Sequence, residues 1–169
     1  MSVAQLVELL VVVQAVAGSN PVAHPSGSVT TRDTARAMSH ENVERVRESL
    51  EAFARRDKAA WYELCDPNLE VVPIGEWPES EPIRGREAAW DFFVAGDEPW
   101  EPGSYEMAEV MHSAKSVVTR LKRDMRGKSS GIEVHYDYWM VVTIRDRKAV
   151  RLEWFEKRES ALEAAGLRE

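Results

Sequence analysis

The chain has 169 residues, 44% of them apolar and 30% charged, with a net charge of −7. That length suits one soluble globular domain with a sizeable core. The acidic balance argues against nucleic-acid or anionic-membrane partners, which need a basic footprint. The lone Cys65 excludes an intrachain disulfide framework and a cysteine-rich zinc site, and is expected as a small buried hydrophobe at a helix end.

Residues 1–37 differ from the rest. Leu6–Ala17 is apolar, but it falls short of the roughly 20 residues of a membrane span, and Glu8 and Gln14 interrupt it. Ala15-Val16-Ala17 resembles a signal-peptide cleavage site, yet no Lys or Arg precedes the apolar run. Gly18–Pro21 reads Gly-Ser-Asn-Pro, which is what the T-arm of a transfer-RNA gene encodes when translated; on that reading Met38 is the true start. Residues 1–37 are therefore expected to be a disordered or spurious extension, with a signal peptide as the alternative. Ser26–Arg36 has no apolar period and is expected as a linker. The folded domain is expected to be 38–169.

Glu41–Arg56 predicts a helix, because Val43, Val46, Leu50 and Phe53 recur at helical spacing, with Ser39 as its cap. Asp57 is expected to cap a second helix, Lys58–Cys65, that buries Trp61 and Leu64. Leu69–Pro73 reads as a short strand, and Gly75–Arg84 as a polar loop carrying Trp77. A third helix is predicted from Arg86 to about Ala95, with Trp90 and Phe93 inward, followed by a loop with Trp100. Four antiparallel strands follow: Tyr105–His112, Val117–Met125, Ile132–Ile144 and Lys148–Glu156. A short helix at Ser160–Ala165 ends the chain.

The last two strands, turning at Arg145–Lys148, organise the rest. Alternation puts Val134, Tyr136, Tyr138, Met140 and Val142 on one face, and Glu133, His135, Asp137, Trp139 and Val141 on the other. Helices followed by strands give an α+β fold, three helices covering one face of a curved antiparallel sheet and enclosing a cone-shaped cavity. Six tryptophans suit a core or cavity lining.

The segments ENVERVRESLEAFARRD, CDPNLEVVP, IRGREAAWDFF and the closing ALEAAGL resemble the SnoaL-like branch of the nuclear transport factor 2-like superfamily, which includes ketosteroid isomerases and polyketide cyclases. The resemblance spans Met38–Leu167. It implies a cystatin-like cone-shaped roll, a hydrophobic small-molecule ligand, a homodimer with Trp139 available to bury, a cytoplasmic location, and chemistry without metal or organic cofactor. The isomerases' general base falls on Val71, with Glu70 one register slip away, and their protonated acid falls near Met140. The isomerase mechanism therefore does not transfer. The glycine usual in the last turn is Arg147, which implies either a strained backbone there or a turn of another type.

Candidate ligand-binding residues are Trp61, Trp90, Tyr136, Tyr138, Met140 and Trp154. Tyr136 and Tyr138 are candidate hydrogen-bond donors to a carbonyl or enolate. Their plainer role is as aromatic core whose hydroxyls find backbone or water. His112 and Glu153 are candidate acid–base groups, and Glu156 is a carboxylate with the same option or a salt bridge to Lys157 or Arg158. The cluster Glu133, His135 and Asp137 reads as a polar outer face rather than a metal site. Three functions stay open: an isomerase, cyclase or hydrolase acting by proton transfer, a non-catalytic binding or dimerisation module, and, on the signal-peptide reading of 1–37, a secreted ligand carrier.

Overall fold

The computed structural model describes residues 31–74 and 81–167. The expectations for residues 1–30 and for the loop segment carrying Trp77 lie outside the described residues. Helices α1 (Thr31–Ala54), α2 (Lys58–Leu64) and α3 (Arg86–Asp97) precede most of the sheet, and α4 (Arg158–Ala164) ends the fold. The strands are β1 (Cys65–Val72), β2 (Ile83–Arg84), β3 (Glu106–His112), β4 (Ser116–Arg126), β5 (Glu133–Arg145) and β6 (Lys148–Phe155). They form one six-stranded sheet in the order β2-β1-β6-β5-β4-β3.

Three local departures from the sequence reading have physical causes. α1 begins at Thr31, so Ser39 lies inside it and 31–36 are helix rather than linker. No Gly or Pro occurs in TRDTARAM, and a helix propagates readily through such residues once nucleated downstream. α3 continues two residues beyond Ala95, through Gly96 to Asp97. The sheet is mixed rather than wholly antiparallel: β1 runs parallel to β6, with a register shift between Cys65 and Glu70. The chain reaches β1 before the β3–β6 meander exists in sequence, so its pairing with β6 is a long-range choice that local pattern does not encode.

The helix cap and the hairpin turn follow expectation. The Asp57 carboxylate accepts from the Ala60 amide at 3.0 Å, satisfying one orphan donor of α2. Asp146 and Arg147, with φ of 50° and 64°, form a two-residue turn in the left-handed region. Arg147 takes this conformation without glycine's freedom, and its guanidinium ion-pairs with Glu41 of α1. Cys65 caps α2 and is buried, and burial pushes its thiol up to about 12.

Two cores lie on the two faces. The inner face, under α1–α3, joins Val46, Phe53, Trp61, Leu69, Val71, Trp90, Leu121, Met140 and Leu152. The outer face carries a smaller cluster, in which Trp139, Val118 and Val141 meet Ala161 and Leu162 of α4. Trp139 is therefore buried within its own chain, at 7% exposure, and is not available for a partner subunit as expected. The short C-terminal helix covers it. Truncating Leu162, 5% exposed, to Ala removes that cover. A loss of about 2–5 kcal/mol in urea denaturation is expected, as for other buried Leu→Ala changes, with a red-shifted tryptophan emission from Trp139 in the native baseline.

Candidate functional site

Strand pairing sets the site. β4 and β5 pair without interruption from Ser116↔Thr143 to Arg126↔Glu133, so directly opposite residues share a face. Inner-face rows therefore run Thr119–Met140–Trp154, Leu121–Tyr138 and Arg123–Tyr136. Beneath the helices the interior is sealed at Met140, 4% exposed, Trp61, 4%, and Trp90, 6%, while Trp154 in the row of Met140 is half-buried. Trp61 and Trp90 meet at 5.5 Å with their rings tilted by 57°, and Phe53 meets Trp90 edge-on at 5.6 Å. They are core, beneath the candidate site rather than open to it.

Further along the same face the aromatic residues are only half-buried. Phe93 meets Trp154 at 5.5 Å, Tyr136 lies 4.7 Å from Tyr138, and Tyr105 packs edge-on against Tyr136 at 5.3 Å. Burial lifts the Tyr136 phenol well above its usual value, and the Trp154 indole N–H, donating to its hydroxyl, opposes only part of this. Burial also raises Tyr138, helped by the nearby charge of Glu156, and raises Tyr105 against the opposing pull of Arg123. All three remain neutral phenols at physiological pH. A phenol that accepts from an indole still has its own proton to donate.

Sequence reasoning missed the charged floor of this region. The Arg123 side chain, 2% exposed, ion-pairs with Asp97 at the end of α3, and Asp97 also pairs with Arg56 at the end of α1. The second Arg123 amino group donates to the Glu101 carbonyl at 2.9 Å, and the guanidinium lies 5.2 Å from the Tyr105 ring centroid. A signal was present: Val117, Thr119, Leu121, Arg123 and Met125 share one phase of β4, and only Arg123 is charged.

The other candidates lie elsewhere. His112 is exposed, its ring 6.3 Å from that of His40. Its strand partner Val117 lies six residues along β4 from Arg123, the partner of Tyr136, which is roughly 20 Å of strand. Glu153 pairs with Val141 of the outer cluster and bonds Arg151 at 2.9 Å, so it faces away from the tyrosines. Glu70 is on that same outer face, ion-paired with Arg151 and Arg84, while Val71 is fully buried. A one-residue slip of β1 is thereby ruled out. His135 bonds Asp124 at 2.6 Å, which raises its pKa, and Asp137 receives both Arg120 Nε and Nη2, at 2.7 and 2.8 Å. Among the described residues no group of three or more His, Cys, Asp or Glu is placed to hold a metal ion.

A family model described as "SnoaL-like domain" matches residues 46–152, more than half of the chain. No curated protein matches it in sequence. Among solved structures, a nuclear transport factor 2-like protein from Burkholderia xenovorans is 22% identical, with a TM-score of 0.59 over 75% of this chain and 97% of that one. A protein described as a SnoaL-like polyketide cyclase from Jannaschia is 16% identical, with a TM-score of 0.63 over 78% and 96%. A Mycobacterium tuberculosis protein in complex with estradiol-17β-hemisuccinate is 14% identical, with a TM-score of 0.60 over 70% and 95%.

Two predictions follow from the buried polar groups. Arg123→Met leaves Asp97 with the exposed Arg56 as its remaining cation, and is expected to cost about 1–3 kcal/mol in urea denaturation. An unchanged midpoint would mean the pair is not buried. Separately, the raised tyrosines keep their protons in the folded state while the unfolded chain loses them near pH 10, so the unfolded state binds fewer protons above that value. Stability is therefore full below pH 10 and falls as pH rises beyond it, and absorbance at the phenolate band should lag the ordinary tyrosine titration until unfolding.

Proposed function

The chain belongs to the SnoaL-like domain family, and on that premise we propose that it binds a hydrophobic, flat small molecule between α3 and the inner sheet face. The single observation that carries this reading is the half-buried aromatic run Phe93–Trp154 and Tyr105–Tyr136–Tyr138, ring against ring, beside the sealed core of Trp61, Trp90 and Met140. Ligand sites are typically apolar walls with a few placed polar groups. Here the polar groups are neutral phenols, suited to donating to a carbonyl or other acceptor oxygen. The Mycobacterium tuberculosis relative, bound to a steroid ester, supports the same ligand class for this fold.

A second reading, proton transfer without a cofactor as in an isomerase, cyclase or hydrolase, is favoured by one observation. Glu156 follows Phe155, the last residue of β6, in the bend beyond the strand, and its charge acts on the Tyr138 phenol. Glu156 would be the proton acceptor and Tyr138 the donor to the developing oxyanion. Binding remains the better-supported reading, because Glu156 is exposed, whereas a working base gains from partial burial. A dimerisation module is weaker still, since α4 already covers Trp139.

Titration of the protein with 2-acetylnaphthalene and estradiol-17β-hemisuccinate by calorimetry tests the binding reading. Saturable one-to-one binding is expected for at least one of them, weakened about fivefold by Tyr138→Phe, the value of one hydrogen bond of ~1 kcal/mol. Heats no larger than dilution for both probes would sink it. Deuterium exchange at the methyl group of bound 2-acetylnaphthalene, lost in Glu156→Gln, separates the enzyme from the binder.

A further inference from the structure

We infer that Trp100 is the end wall of the aromatic site and sets the length of ligand it accepts, an inference that rests on the binding reading for its functional meaning. Trp100 lies on the connection between α3 and β3, yet it is 3% exposed while Glu98, Glu101 and Pro102 around it are exposed. Its indole packs on Met125 and Val134, with Tyr136 against the same cluster. Met125 pairs with Val134, and Arg123 with Tyr136, so Trp100 occupies the inner-face row immediately beyond the last tyrosine. One row is two residues, roughly 7 Å along the strand.

The wall is fixed rather than poised to open. Trp100 bridges Gly127 past the end of β4, the Glu101 amide donates to the Arg126 carbonyl at 2.8 Å, and the Lys128 amide donates to the Pro99 carbonyl at 2.9 Å. From inside, Arg123 donates to the Glu101 carbonyl. The strand end is thus extended by a short antiparallel pairing whose one inward side chain is the indole. A ligand lying along Trp154, Tyr138 and Tyr136 meets that indole next. Its length is limited there by van der Waals contact, not by charge, because Arg123 is engaged by Asp97 and Glu101.

The test compares wild type with Trp100→Ala and Trp100→Phe, using 2-acylnaphthalenes of increasing acyl length and, separately, free indole, by calorimetry and by aromatic NMR of Tyr136. In wild type, affinity is expected to rise with acyl length and then break off. In Trp100→Ala the break moves outward by several methylenes, so that the longest probes bind at least about tenfold tighter than to wild type, with Trp100→Phe between. Identical length profiles in wild type and Trp100→Ala would overturn the inference. Indole should bind Trp100→Ala, shift the Tyr136 resonances and raise its melting temperature, while leaving wild type unchanged. If no acylnaphthalene binds wild type but indole does this in Trp100→Ala, the wall stands and the binding reading fails. If indole neither binds nor moves Tyr136, the wall is disproved whatever the acylnaphthalenes do. Should Trp100→Ala not fold, Trp100→Phe carries the same length comparison with a smaller displacement of the break.

Discussion

The uninterrupted pairing of β4 with β5 is the constraint on which the other features depend. Eleven residue pairs, from Ser116↔Thr143 to Arg126↔Glu133, run without a bulge, so the period of two divides the hairpin into two chemically different faces. One face takes the helices and the tyrosines. The other takes the Arg120–Asp137 ion pair and the His135–Asp124 hydrogen bond at one end and the α4-covered Trp139 at the other. A slip of one residue would bury Asp137 and His135 and expose Tyr136 and Met140, which no packing of α1–α3 could repair.

Against this frame the interior grades from sealed to half-open. Close-packed tryptophans beneath α1–α3 give way along the sheet to tyrosines of intermediate exposure, then to the Trp100 wall. The buried Arg123–Asp97 pair, with the exposed Arg56 on its outer side, ties the ends of two helices to β4 near that transition. Buried ion pairs contribute little net stability compared with apolar replacements, but they are specific in geometry. Here the specificity fixes where α3 ends and where the following connection starts, and with it the placement of Tyr105 and Trp100.

The chemistry available in the interior is correspondingly restrained. Val71 and Met140, on or near which the resemblance to ketosteroid isomerases would lay their ionisable groups, are both packed in the core. With Arg123 of the charged floor engaged by Asp97 and the Glu101 carbonyl, neutral phenols and an indole N–H remain, along with Glu156 at the edge. Such a set orients an acceptor-bearing apolar ligand well, and it asks little desolvation of charge.

Much of this was legible in the sequence because it is local. Helical spacing located α2 and α3 and most of α1, Asp57 announced its cap, and alternation in β5 assigned Tyr136, Tyr138 and Met140 to one face. The resemblance carried by those segments identified the fold. Three features were decided only by tertiary structure. The parallel pairing of β1 with β6 joins segments some eighty residues apart. Trp139 sits on a face that alternation alone leaves open, and only the docking of α4 closes it. The exclusion of His112 and Glu153 from the site depends on strand register and distance, whereas their residue types suggested chemistry. Sequence periodicity determines which face a side chain occupies; what stands opposite that face is set by non-local packing, which local pattern does not encode.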